Sequence, residues 1–139
     1  MITAIDKAKA LAQLMHRGQT DKQGKPYFGH VERVASSRKL KIYMDIQVAY
    51  LHDIIEDTAV TADDLLALGF DADVVACVQT LTRMDDEKYF DYIGRVAKND
   101  VCTRVKLADL DDNMDPSRGP IPDSLLSRYQ KAQKILSGV

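Results

Sequence analysis

The stretch YLHDIIEDT, from Tyr50 to Thr58, constrains this chain more than any other. It puts one imidazole and three carboxylates into the six positions from His52 to Asp57, with apolar residues between them. In a helix, side chains three and four apart share a face, which pairs Asp53 with Glu56 and with Asp57, and His52 with Glu56. Like carboxylates at that spacing repel, and burying them unpaired is costly. A hydrophobic helix that keeps all four groups calls for a cation. The stretch therefore reads as half of a metal site, with two acids left over for chemistry.

The rest of the chain supplies helices to hold it. Thr3 caps a helix over 3–16, with Asp6 three residues on and a stripe of Ile5, Ala8, Leu11, Ala12 and Met15. A polar loop follows over 16–26, broken at Gly18, Gly24 and Pro26, and suits the rim of a substrate site. Helical spacing resumes over 27–40, and His30 lies on its inward side with Val31 and Val34. Asp45 is placed to cap a helix running to Thr58. Thr61 and Asp64 form a capping box for a short helix closed by Gly69, and Asp71 caps the next, over 71–81. Asp85 or Asp86 caps a helix from Tyr89 to Ala97. Over 101–114 comes a second charged hydrophobic helix, with Asp109 on its apolar face. Residues 116–122, rich in Pro and Gly, break it from a last helix capped by Asp123, a lid or buttress. No period-2 segment or Asn-Gly hairpin interrupts this pattern. The expected fold is all-α, a single domain over 1–139 with about seven or eight helices.

Bulk properties narrow the function classes. A chain of 139 residues, 45% hydrophobic and 29% charged, suits one domain with a sizeable core. A net charge of −2 leaves no basic footprint for a nucleic-acid polymer, so any bound phosphate needs a local cluster or a metal. Cys77 and Cys102 form no CxxC pair and read as buried free thiols of a reducing compartment. With no signal peptide and no apolar run near the roughly 20 residues of a membrane span, a cytoplasmic protein is expected. The apolar helix over 71–81 suits a homo-oligomer interface as well as it suits a core.

With His30, His52-Asp53 and Asp109 set side by side, the sequence resembles the HD superfamily of metal-dependent phosphohydrolases. More closely it resembles the RelA/SpoT-type hydrolase domain, which removes the 3′-pyrophosphate of (p)ppGpp, and in overall pattern its small stand-alone bacterial members. The resemblance is carried by HRGQ from His16 to Gln19, GKPY from Gly24 to Tyr27, His30, the HDIIED stretch, and KLAD from Lys106 to Asp109 with Asn113. It implies an HD-domain helical bundle in which His30, His52, Asp53 and Asp109 ligate a divalent metal ion, with Mn²⁺ the family habit. The donor set alone also admits iron, zinc or cobalt. It implies that Glu56 and Asp57 position and deprotonate the attacking water. The substrate implied is a small phosphorylated nucleotide, held by candidates Lys22, Lys25, Tyr27, Arg83, Lys88, Asn113 and Arg128. Two departures stand out. Asp21 occupies a position where the family carries arginine, and Leu110 and Asp112 replace a basic residue and a histidine, which makes that side of the pocket more acidic. These departures keep two other readings open: hydrolysis of another phosphoester such as the 2′-phosphate of NADPH, and a catalytically silent nucleotide- or metal-binding module.

Overall fold

The structure, a computed structural model, describes residues 1–138. Its described residues form nine α-helices: α1 (Ala4–Met15), α2 (Phe28–Ala35), α3 (Tyr43–Leu51), α4 (Ile54–Asp57), α5 (Ala62–Ala67), α6 (Ala72–Thr80), α7 (Tyr89–Val96), α8 (Asp100–Asn113) and α9 (Asp123–Ser137), with a 3₁₀ turn at Pro116–Arg118. The all-α expectation holds. The ninth helix arises because the helix expected over 45–58 is two, α3 and α4, broken at His52-Asp53.

Local signals explain most boundaries. The Thr3 hydroxyl accepts the Asp6 N–H while the Asp6 carboxylate accepts that of Thr3, and Thr61 with Asp64 repeats the box ahead of α5. The Asn99 side chain accepts the Cys102 N–H and caps α8. Three expected caps shift. Helix α3 begins after Ile42, so Asp45 lies a turn inside, where its carboxylate accepts the Lys41 N–H at 2.8 Å. Lys88 rather than Asp85 or Asp86 precedes α7, and Pro122 precedes α9 with Asp123 in its first turn. The loop over 16–26 is ordered by its own polar groups. The Asp21 carboxylate accepts the Gln23 and Lys25 N–H groups at 2.9 and 3.0 Å, and the Tyr27 N–H donates to the Gln19 carbonyl at 2.9 Å.

Helix α3 runs through the middle and is apolar nearly all round, as a fully surrounded helix must be. Val48, Ala49 and Leu51 are buried among α1, α2, α6 and α8. Cys77 and Cys102 are buried free thiols in the same core. Helix α9 lays Ala132 and Leu136 against α7 and α8, which makes it a buttress. Among the described residues, no helix is long and apolar enough to cross a membrane.

Candidate metal centre

The break between α3 and α4 is what aims the His-Asp pair. Where α3 ends, the Ala49 carbonyl accepts the Nδ1–H of His52 at 2.6 Å. A carbonyl has no proton to give, so this bond fixes the tautomer, and the neutral His52 ring turns a bare Nε2 lone pair inward. That Nε2 is buried and has no hydrogen-bond partner, although Asp53 Oδ2 and Asp109 Oδ1 lie 3.1 and 3.4 Å away. Helix α2 brings His30 opposite. Its Nδ1 donates to Asp112 Oδ2 at 2.7 Å, and its Nε2 lies 2.9 Å from Asp109 Oδ1 and 3.8 Å from Asp53 Oδ2. Tyr27 Oη donates to Asp53 Oδ2 and so spends its hydroxyl on the centre itself.

Four ligand-type atoms, one from each of His30, His52, Asp53 and Asp109, thus lie within 4.8 Å of one another. Donors that share an ion at about 2.1 Å stand about 3.0–3.4 Å apart, and the His52 Nε2 contacts to Asp53 and Asp109, at 3.1 and 3.4 Å, fall in that range. Two imidazole lone pairs facing two carboxylates are acceptors facing acceptors, so the donor set fits a cation. The electrostatics agree. Burial opposes ionisation of Asp109, yet the Lys106 ammonium at 2.8 Å and the two imidazoles hold its carboxyl well below the usual range. Burial likewise opposes charge on His52, and Asp53 and Asp109 outweigh it and raise the imidazole well above its ordinary value. The centre stabilises positive charge, and a proton and a divalent cation compete for the same Nε2.

A cleft of about 220 Å³ opens beside the cluster. Glu56 and Asp57 line it, together with Arg83, Lys106 and Arg128. The Arg83 N–H donates to Glu56 Oε1 at 3.1 Å, and the Arg128 guanidinium lies 3.7 Å from the centroid of the Tyr89 ring. Burial raises the Glu56 carboxyl, with Asp53 and Asp57 adding to it against the Arg83 N–H, and burial followed by Asp53 raises that of Asp57. Asn113, Tyr27 and Tyr129 join this cleft to a second, of about 280 Å³, walled by Lys22, Asp21 and Arg118. Lys25 and Lys88 are exposed and line neither cleft.

Lys106 and Arg118 line the clefts although neither is among the site residues expected from the sequence. Lys106 was legible, one helical turn before Asp109. Arg118 was not, because the Pro- and Gly-rich segment carries no periodicity. The expectation of an acidic pocket wall is corrected. Leu110 is buried in the core, and Asp112 is buried against His30, Arg33 and Arg118 and lines neither cleft.

Fold and site together define a helical domain built around a buried two-histidine, two-aspartate centre. The chain belongs to the HD-domain family, whose pattern matches residues 8–109. It is 35% identical over 101 residues to the guanosine-3′,5′-bis(diphosphate) 3′-pyrophosphohydrolase of Vibrio cholerae, and equally to the bifunctional (p)ppGpp synthase/hydrolase SpoT of Escherichia coli strain K12. In each case the similarity covers 70% of this chain and 14% of the relative, so the chain spans about one seventh of the curated relatives it matches. The solved structure of a metazoan SpoT ortholog, described as hydrolysing ppGpp, superposes with a TM-score of 0.84 at 25% identity, covering 98% of this chain and 86% of that one.

Proposed function

We propose that this protein is a metal-dependent phosphohydrolase that removes the 3′-pyrophosphate of guanosine-3′,5′-bis(diphosphate), acting as one domain over 1–139 in the cytoplasm. The observation that carries the reading is the convergence of His30, His52, Asp53 and Asp109 beside a cleft lined by paired acids and by cations. The activities in the names of the similar proteins point the same way.

His30, His52, Asp53 and Asp109 hold the ion, and manganese is our choice among the borderline divalent metals that this donor set accepts. A divalent ion there supplies Lewis acidity toward water and phosphoryl oxygens. Glu56 and Asp57 orient the attacking water and take its proton on a carboxylate oxygen. Their raised carboxyls are stronger bases than ordinary ones, as proton abstraction near neutral pH requires. The water oxygen adds to the phosphorus attached to the ribose 3′-oxygen, that P–O bond breaks, the departing 3′-oxygen takes up the proton that the Glu56–Asp57 pair accepted, and Arg83 and Arg128 neutralise the pyrophosphate so formed. Arg128 Nε and Tyr89 Oη are buried on this cleft with no acceptor, and a phosphate oxygen supplies one. Asn113 and Lys22 contact the nucleoside side of the substrate from the second cleft.

One observation favours a second substrate, another phosphoester such as the 2′-phosphate of NADPH. Asp21 is tied into its own loop and faces Arg118 at 3.9 Å, so the first loop offers Lys22 but no arginine to the second cleft. A silent binding module finds less support, since both proton-accepting carboxylates stand in the cleft. The test is release of pyrophosphate and phosphate from ppGpp with Mn²⁺ and then with chelator. Chelator-sensitive pyrophosphate release supports the first reading. No release from ppGpp by Mn²⁺-loaded protein, with phosphate release from NADPH, supports the second.

A further inference from the structure

Asp112 is a buried carboxylate that the reaction above does not use. It sits on α8 three residues after Asp109, where the resembling motif carries histidine. Four contacts converge on it. Its Oδ2 accepts from His30 Nδ1 at 2.7 Å, from Arg33 Nη2 at 3.2 Å and from Arg118 Nη1 at 3.2 Å, and its Oδ1 accepts from Arg33 Nε at 2.7 Å. Three of the four share Oδ2 and one takes Oδ1, so both oxygens are engaged. Burial works against its charge, but these partners hold its carboxyl below the usual range.

We propose that Asp112 is a positioning residue, which locks His30 with its Nε2 lone pair presented to the metal centre. The inference rests on the metal reading above. His30 Nδ1 has no second acceptor within reach. Arg118 Nη1 lies 3.3 Å from it, but a guanidinium only donates, so the two share Asp112. Without that acceptor the ring gains by moving its proton to Nε2, where Asp109 Oδ1 waits at 2.9 Å. The proton then occupies the position a cation needs. Arg33 and Arg118 have the complementary job of holding the Asp112 carboxylate in place, and Arg118 also donates to Asn113 Oδ1 at 3.0 Å. The orientation of the ligand is thereby tied to the 3₁₀ turn that walls the second cleft. A contact made only to join α2 to α8 would need Arg33 and Asp112 alone.

The experiment measures the Mn²⁺ dissociation constant by isothermal titration calorimetry, beside circular dichroism and thermal melting, for the unaltered protein, Asp112→Ala and Asp112→Asn. Partners of ligating histidines are worth about 10–100-fold in metal affinity, and Asp112→Ala is expected to weaken Mn²⁺ binding by that much. Asp112→Asn is expected to lose less, because its carboxamide oxygen still accepts the Nδ1 proton. A structural role alone would lower the melting temperature of both variants and leave Mn²⁺ affinity unchanged in the folded protein, which overturns the proposal. If Asp112→Ala does not fold, Asp112→Leu, similar in size and without an acceptor for the Nδ1 proton, decides: weakened affinity supports positioning, and unaltered affinity overturns it. Failure of the unaltered protein to bind Mn²⁺ would overturn the metal centre itself, and positioning with it.

Discussion

Helices α3 and α8 lie side by side in the same direction and bury charge at two places. Near their starts Asp45 meets Arg104, which donates to both carboxylate oxygens at 2.7 and 3.0 Å. About 10 Å further along α3, seven residues at about 1.5 Å each, His52 and Asp53 meet Asp109. Both places pay for desolvation, and only the first is settled by the chain's own groups. Asp45 has its guanidinium and the Lys41 N–H. At the second place Lys106 satisfies one oxygen of Asp109, while two imidazole nitrogens, the other oxygen of Asp109 and one oxygen of Asp53 converge within 4.8 Å. Buried polar groups that close on each other hold a fold together. Buried polar groups whose unmet demand converges on a point are waiting for a ligand.

Substitutions on either side sharpen this contrast. Asp53→Ala should have the largest effect, removing a proposed ligand and the acceptor for Tyr27. Mn²⁺ binding by calorimetry and hydrolysis should both fall to background, and Asp53→Ala protein that still binds Mn²⁺ tightly would break the ligand assignment. Glu56→Ala should separate the roles. Metal affinity is kept, while turnover falls by about 10²–10⁴, the usual worth of a general base. Loss of the metal in Glu56→Ala would show that Glu56 belongs to the centre.

The contrast was only half legible in the sequence. The four converging residues were readable because metal ligation needs particular residue types: HDIIED and KLAD carry three of them, and His30 lies on the inward side of its own helical pattern. The break at His52-Asp53 was not, since periodicity of three and four runs straight across it, and the break depends on a side chain competing for the Ala49 carbonyl. Asp45 read as a helix cap because Asp before an apolar run is the usual signal. Its true partner Arg104 lies 59 residues away, and no local pattern announces a tertiary ion pair. Asp112 misled for the same reason. Its residue type suggested an acidic pocket wall, and only the packing of α2 and the 3₁₀ turn shows that two arginines neutralise it.

The smaller predictions fall on the self-contained pair. Asp45→Asn should lower the unfolding free energy in urea by about 1.5–3 kcal/mol, the worth of hydrogen bonds to a charged group. Mn²⁺ affinity should stay within about twofold, because sites this far apart act independently. The pH dependence carries the finer test. Burial alone would raise the Asp45 carboxyl, but the Arg104 hydrogen bonds and the Lys41 N–H bring it below its ordinary 3.8. As pH falls, the unfolded chain therefore protonates this group first. The pair's contribution is whole above the ordinary value and drains away as pH drops through it toward the lower folded value. The stability gap between the unaltered protein and Asp45→Asn should accordingly be constant near neutrality and narrow once pH falls below about 5. A gap that stayed constant through this acid range would mean that shape at the start of α3, and not charge, is what Asp45 contributes, and the contrast between the two places would lose its electrostatic half.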